Sequence, residues 1–274
     1  MSALQWQLAR DAAHRYETVL VRTYLGRAAE IVVNRASPSA NQTVVDVGCG
    51  TGAAARLALS RVGPHGRVIG IDVNRYMLQV SREIADGIEF REGDARQLPL
   101  RDGCADAVIC SNTLQFVPER ARAMVEMVRV LRPRGRLAIG VWEELDRNPY
   151  FEALSTAIAT VMGPPVASAV ASACALGSAS HLWSLVSGTD LRDVRVDSIT
   201  LDVKLGPLTE FVPRHIAATP MAGAFRAAGD EAVHEVVTRT SATLGQAIAD
   251  GATTVPFRLL LASGHALESS GSLD

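Results

Sequence analysis

A short apolar run that ends in a cluster of glycines constrains this chain more than any other feature. Thr43-Val44-Val45-Asp46-Val47 reads as a strand and runs straight into Gly48-Cys49-Gly50-Thr51-Gly52. An Ala/Leu-rich helical segment follows and closes near Gly63-Pro64. Glycines suit such a turn because they adopt positive φ and let a ligand approach the backbone where a Cβ would collide. The second strand ends at Asp72, about 20 residues beyond the cluster. From there a carboxylate can accept hydrogen bonds from both hydroxyls of a ribose. An isolated aspartate in this place is equally a helix cap; behind a glycine turn it points to a ligand. The glycines run G-C-G-T-G rather than G-x-G-x-x-G, and no G-x-x-x-x-G-K-[ST] occurs. A ligand with a ribose but without a pyrophosphate is therefore expected.

Strand and helix signals then alternate. Residues 67–72 read as a strand, 75–85 as a helix, 88–91 as a strand and 105–110 as another. A helix over about 119–131 leads through Pro133-Arg134-Gly135 into a strand over 136–141. Such alternation implies crossovers and a doubly wound parallel sheet, with ligands at the carboxyl ends of its strands. After Trp142 the rhythm changes to strands over 194–205 and 253–261, with helices near 208–216 and 231–248 between them. The expected organisation is an N-terminal helical lid over 1–36, a ligand-binding α/β core over 37–150, and remaining core strands over 151–274. The last part carries a helical cap over about 207–250 and a frayed tail over 268–274.

Composition narrows the partners. The formal net charge is −2 and 20% of residues are charged, a balance that disfavours nucleic acid as the main partner. The arginines at 120, 122, 129, 132, 134 and 136 read as a solvated face. Cys49, Cys104, Cys110 and Cys174 form no CxxC pair or zinc spacing, so no metal is expected and a reduced, cytoplasmic setting is. The N-terminus lacks the apolar core of a signal peptide. Between Glu152 and Asp190 no charged residue occurs, yet Pro164-Pro165 interrupts the run. It reads as helix, break and loop over a pocket, with no membrane span.

The motifs resemble, in order, those of class I S-adenosylmethionine (SAM) methyltransferases. VVDVGCGTG is similar to their first motif, VIGIDVNRYML to the second, EGDARQLPL to the third and DAVICSNTLQFVPE to the fourth. EMVRVLRPRGRLAIGVW resembles the region after the fourth motif, and AAHRYETVL a segment that precedes the SAM domain in the ubiquinone/menaquinone-biosynthesis group. The resemblance covers about residues 12–150. It implies a Rossmann-like, seven-stranded, mostly parallel sheet and SAM as cofactor, with S-adenosylhomocysteine (SAH) as product. By the same resemblance Asp46, Gly48, Cys49, Gly50 and Ser111 line the methionine end, and Asp72 holds the ribose. Val73 and Met77 pack on adenine, Asp94 accepts from its amino group, and Ala95 offers a backbone N–H. Gln115 and Phe116 face the transferring methyl, and Tyr16 closes over the sulfonium. No Asn-Pro-Pro-Tyr sequence occupies the fourth motif, which weakens base or amide methylation, and the cysteines do not match those of arsenite methyltransferases.

The acceptor is expected to be an apolar or aromatic small molecule, as in natural-product biosynthesis, seated near Trp142 and Phe151. His215, beside Phe211 and Arg214 in the cap, is the candidate general base, and His181 is the second choice. A cyclase that uses bound SAM without methyl transfer, or a non-catalytic SAM-binding protein, would share the same motifs. A monomer and a homodimer are both compatible with the sequence.

Overall fold

The computed structural model describes residues 8–245 and 254–268. Its sheet holds β1 (Thr43–Val47), β2 (Arg67–Asp72), β3 (Glu89–Glu92), β4 (Ala105–Ser111), β5 (Leu131–Trp142), β6 (Leu191–Lys204) and β7 (Thr254–Ala266). They lie side by side in the order 3-2-1-4-5-7-6. The first five run parallel, and β7 is antiparallel to both β5 and β6. Val44 and Val45 of β1 are fully buried, as befits a strand covered on both faces. Strand order reverses between β1 and β4, which opens a crevice at their carboxyl ends.

Before the sheet come α1 (Arg10–Arg15), a π-helical run over Tyr16–Leu25 and α2 (Gly26–Ala36). The crossovers are α3 (Ala53–Val62), α4 (Arg75–Ile84) and α5 (Arg120–Arg129). Between β5 and β6 stand α6 (Pro149–Met162), α7 (Pro164–Ala171) and α8 (Ala179–Ser187); between β6 and β7 stand α9 (Leu208–Ala217), α10 (Ala222–Ala228) and α11 (Asp230–Gly245).

Four local expectations are corrected. The charge-free segment after Pro164-Pro165 is helical, not a loop. Gly163 at φ +85° ends α6, and the two prolines open α7, where their missing N–H groups have no intrahelical bond to make. β5 begins at Leu131 rather than 136: pairing with β4 shifts between Ala105 and Ala107, and Arg134 at φ +63° absorbs the irregularity. β6 likewise begins at Leu191 rather than 194, across a shift between Arg192 and Arg195 with Asp193 at φ +54°. The cap has a third helix, α10, set off by Gly229 at φ +87°. Residues 1–7 of the expected lid, 246–250 of the cap, 253 of the last strand and 269–274 of the tail lie outside the described residues.

The arginine cluster is largely neutralised. Arg129 pairs with Glu126 and Asp102, Arg132 with Asp106, Arg134 with Glu268, and Arg122 lies 3.9 Å from Glu119. Among the described residues no single helix is long and apolar enough to cross a membrane. Only the bent pair 164–174 and 179–187, at 58°, approaches that composition, and Ala167, Val170, Leu182 and Val186 of it are buried in the protein.

Candidate active site

The glycine turn sits at the carboxyl end of β1. Gly48 and Cys49 both donate to the Ile71 carbonyl, at 2.7 and 3.0 Å, so the turn is bound to β2. At Gly48, φ is +70° and a Cβ would fall 2.1 Å from Thr113 Cγ2. Gly50, at φ +53°, has nothing nearer its Cβ position than Met77 and Tyr16 at 3.9 Å, so its bare backbone is open to a ligand. Asp72 closes the arrangement: its carboxylate accepts from the Gly50 N–H at 2.8 Å and from the Asn74 N–H at 2.8 Å. Burial raises the Asp72 pKa, and these backbone donors oppose the rise. Asn74 in turn caps α4, accepting from the Tyr76 and Met77 N–H groups.

A cavity of about 400 Å³ opens above this edge. Gly48, Gly50, Asp72, Val73, Met77, Asp94 and Ala95 line one half, and Tyr16, Gln115 and Phe116 stand toward the other. Asp46, Cys49 and Ser111 line a small adjoining recess that shares Tyr16, Gly48 and Asn112 with the main cavity. Asp46 is 1% exposed, and its Oδ2 has no hydrogen-bond partner among the described residues. Burial pushes its pKa up to about 7, the Ala55 N–H offsetting part of the rise. A buried carboxyl with a free oxygen beside open glycine backbone suits a ligand that brings a cation. Val73 is 54% exposed at the rim. Asp94 is held by Arg96 through paired hydrogen bonds, which lowers its pKa.

The lid is pinned to the turn by a residue the sequence reading passed over. Glu17 accepts from the Thr51 hydroxyl at 2.5 Å and pairs with Arg56 at 2.7 Å, while Arg56 also donates to the Thr51 carbonyl at 2.7 Å. Its signal lay in the Tyr16-Glu17 pair, of which only Tyr16 received a role. The π-helical winding through this segment is rare in proteins and concentrates at functional sites. Charge-assisted bonds of this kind contribute roughly 1.5–3 kcal/mol. Glu17→Ala is therefore expected to weaken SAH binding about tenfold and to speed amide exchange over residues 10–25. Unchanged exchange would show that the pin does not hold the lid.

The other half of the cavity is aromatic. Trp142, Phe151, Tyr24 and His215 line it together with Leu20, Val170 and Met221. Tyr24 and Phe257 stack at 4.9 Å, and Phe151 meets Phe257 edge-on at 5.1 Å. The charged residues on the cavity wall, Asp72, Asp94 and Arg96, all stand in the glycine-turn half. His215 Nδ1 lies 2.9 Å from the Tyr150 hydroxyl, and burial pushes its pKa down to about 3.

Two expected pocket residues are elsewhere. His181 lies inside α8 and is exposed, and the Arg214 side chain is 64% exposed against Glu210; neither lines the cavity. α8 packs on β6 and α5, and the outer face of α9 carries Arg214 away from its buried face. Phe211 is buried behind the wall, packing on Tyr150 and His215.

Residues 45–139 match the family described as the methyltransferase domain. UbiE, a C-methyltransferase of ubiquinone/menaquinone biosynthesis from Hahella chejuensis, is 36% identical over 113 residues, 39% of this chain and 45% of that protein. Methyltransferase GfsG from Streptomyces halstedii is 37% identical over 119 residues, 41% of this chain and 42% of that one. The matched part thus spans less than half the length of these curated relatives. Phosphoethanolamine N-methyltransferase 2 from Haemonchus contortus, in complex with SAM, shares the fold with a TM-score of 0.61 at 18% identity, over 96% of this chain and 58% of that chain.

Residues 45–139, which carry the switch-point crevice and the glycine turn tied to a terminal aspartate, are thus a methyltransferase domain by the family match, similar to those of class I SAM-dependent enzymes. That region is similar to the matching part of the UbiE relatives.

Proposed function

We propose that this chain transfers a methyl group from SAM to a small, uncharged, largely apolar molecule held in the aromatic half of the cavity. The observation that carries this reading is the single cavity joining the glycine-turn half to an aromatic chamber whose wall bears no charge among the described residues. The residues present suit SAM: open backbone at Gly50, an orphaned Asp46 oxygen for an ammonium, and the Asp72 carboxylate, tied to the Gly50 N–H, for ribose hydroxyls. Asp94, Ala95 and Met77 line the same cavity, which supports their reading as the adenine contacts. When bound, SAM supplies an electrophilic methyl group beside a good leaving group.

The protein's task is then positional. An acceptor atom must stand roughly 3–3.5 Å from the methyl carbon and in line with the departing sulfur. Tyr16 and Leu20 from the lid, with Gln115 and Phe116 from the turn after β4, line the same cavity and would wall the place where the two ligands meet. His215 is neutral in this setting and a poor proton store, because burial penalises its charged form. Its role is to orient an acceptor oxygen or nitrogen, held in place by Tyr150. The UbiE relatives are named for ubiquinone/menaquinone biosynthesis, which supports a biosynthetic setting.

SAH release should be measured with panels of neutral phenols and enols, charged peptides and nucleic acid. Turnover with neutral acceptors is expected; turnover confined to peptides or nucleic acid would overturn the reading. The raised Asp46 pKa adds a second check. With a pKa near 7 it is mostly protonated at pH 6, and a ligand ammonium beside it would favour the carboxylate. SAH binding at pH 6 should release a proton, seen as a buffer-dependent enthalpy, and binding at pH 8 should release almost none. Equal release at both pH values would remove Asp46 from the cofactor site.

The buried histidine has a stability signature of opposite sign. Its folded pKa of about 3 lies below the unfolded 6.5, so unfolding takes up a proton between those values. The stability it contributes is present above 6.5 and is lost toward pH 3, by at most about 1.4 kcal/mol per unit. His215→Gln should therefore lose less stability than wild type between pH 7 and 5 in urea melts; identical slopes would contradict the burial argument.

A further inference from the structure

Gln115 occupies the middle of a short 3₁₀ turn, Leu114–Phe116, that follows β4. Its side chain lines the cavity and is 3% exposed, yet neither Oε1 nor Nε2 has a hydrogen-bond partner among the described residues. A buried carboxamide left unpaired is costly, by roughly 1–3 kcal/mol per group, and native proteins seldom retain one without a use. The backbone beneath it is fixed. Arg120 donates to the Gln115 carbonyl at 2.9 Å, and the Thr113 hydroxyl donates to the Gly48 carbonyl at 2.9 Å. The amide is thus presented into the cavity from a rigid turn.

The surroundings define what can satisfy it. Among the described residues no charged side chain lines the acceptor half, whose walls are Leu20, Tyr24, Trp142, Phe151, Val170 and Met221 with the neutral His215. A carboxamide offers an acceptor and donors side by side. Its neutral complement is an edge that carries a donor beside a carbonyl. We propose that Gln115 determines acceptor specificity by pairing with such an edge, as found in a lactam, a cis-amide or an enolised dicarbonyl. The proposal rests on the reading that the aromatic half holds the methyl acceptor.

The test uses isoquinolin-1(2H)-one, a planar lactam, and its N-methyl derivative, which keeps the carbonyl and lacks the donor. Each is titrated calorimetrically into SAH-saturated wild type and Gln115→Leu. Wild type should bind the lactam about tenfold more tightly than the N-methyl compound, and the variant should lose that preference. SAH affinity should stay within about threefold in the variant. Its melting temperature without ligand should hold or rise, since an apolar side chain removes two unpaired polar groups.

No preference in wild type, or a preference that survives in Gln115→Leu, overturns the proposal. So does loss of SAH affinity in the variant, which would assign the amide to the cofactor. A fall in melting temperature would assign it to the fold, and Gln115→Met then repeats the lactam comparison on a side chain of closer shape. Failure of wild type to bind SAH sinks the underlying reading instead, and is seen before any lactam is added.

Discussion

Asp72→Ala is expected to bind SAH about 100-fold more weakly than wild type in calorimetric titration. Two hydrogen bonds from ribose hydroxyls to an ionised carboxylate contribute roughly 1.5 kcal/mol or more each, and about 3 kcal/mol is a hundredfold in affinity. The loss has a second source. The same carboxylate holds the Gly50 and Asn74 N–H groups, so alanine also releases the glycine turn from the end of β2. Asp72→Asn separates the two sources, because the amide keeps one acceptor oxygen and gives up the charge. It should lose about tenfold and keep most of the melting temperature. Wild-type affinity in Asp72→Ala would remove the carboxylate from the cofactor site and leave it a cap for the turn alone.

Gly48→Ala should cost stability as well as binding. The added Cβ would lie 2.1 Å from Thr113 Cγ2 and 2.4 Å from its Oγ1, on a backbone at φ +70°. Left-handed backbone costs a residue with a Cβ roughly 1–2 kcal/mol, and forcing atoms into a packed site roughly 1–3 kcal/mol more. The melting temperature should fall by roughly 5–15 °C, with SAH binding lost as the turn shifts. Gly63 offers a comparison without the contact: at φ +70° and ψ −170° its backbone also favours glycine, but nothing among the described residues lies within 4 Å of its Cβ position. Gly63→Ala should show only the backbone cost. If the two variants melt alike, the contact with Thr113 carries no weight.

The parallel half of the sheet was legible because its signals are local. Buried strands such as Thr43–Val47 are continuous apolar runs, and the turn after them carries glycines in sequence. Asp72 could be matched to Gly50 because both stand at strand ends, and strand ends are fixed by register. The second half was harder. Pro164-Pro165 looks the same in a list of residues whether it breaks a helix or opens one. His215 and Arg214 are neighbours in sequence, yet one faces the aromatic core and the other solvent. Phase on a helix decides that, and a short helix around Pro213 gives little periodicity from which to read it. Glu17 is a further case: its partners Thr51 and Arg56 are distant in sequence, and nothing near it announces them. Gln115 was placed beside the methyl by resemblance, but its unpaired amide is a property of packing alone.

The antiparallel placement of β7 has a consequence for vectorial synthesis. β5 presents its outer edge to β7, and β6 pairs only with β7. As the chain leaves the ribosome, β1 to β5 and the glycine turn are complete while both β5 and β6 still lack this partner. Phe257, at the base of the aromatic half, arrives with β7 as well. The nascent chain therefore passes through a stage with a finished cofactor edge, an unfinished acceptor chamber and open strand edges, the stage most exposed to mispairing with other chains.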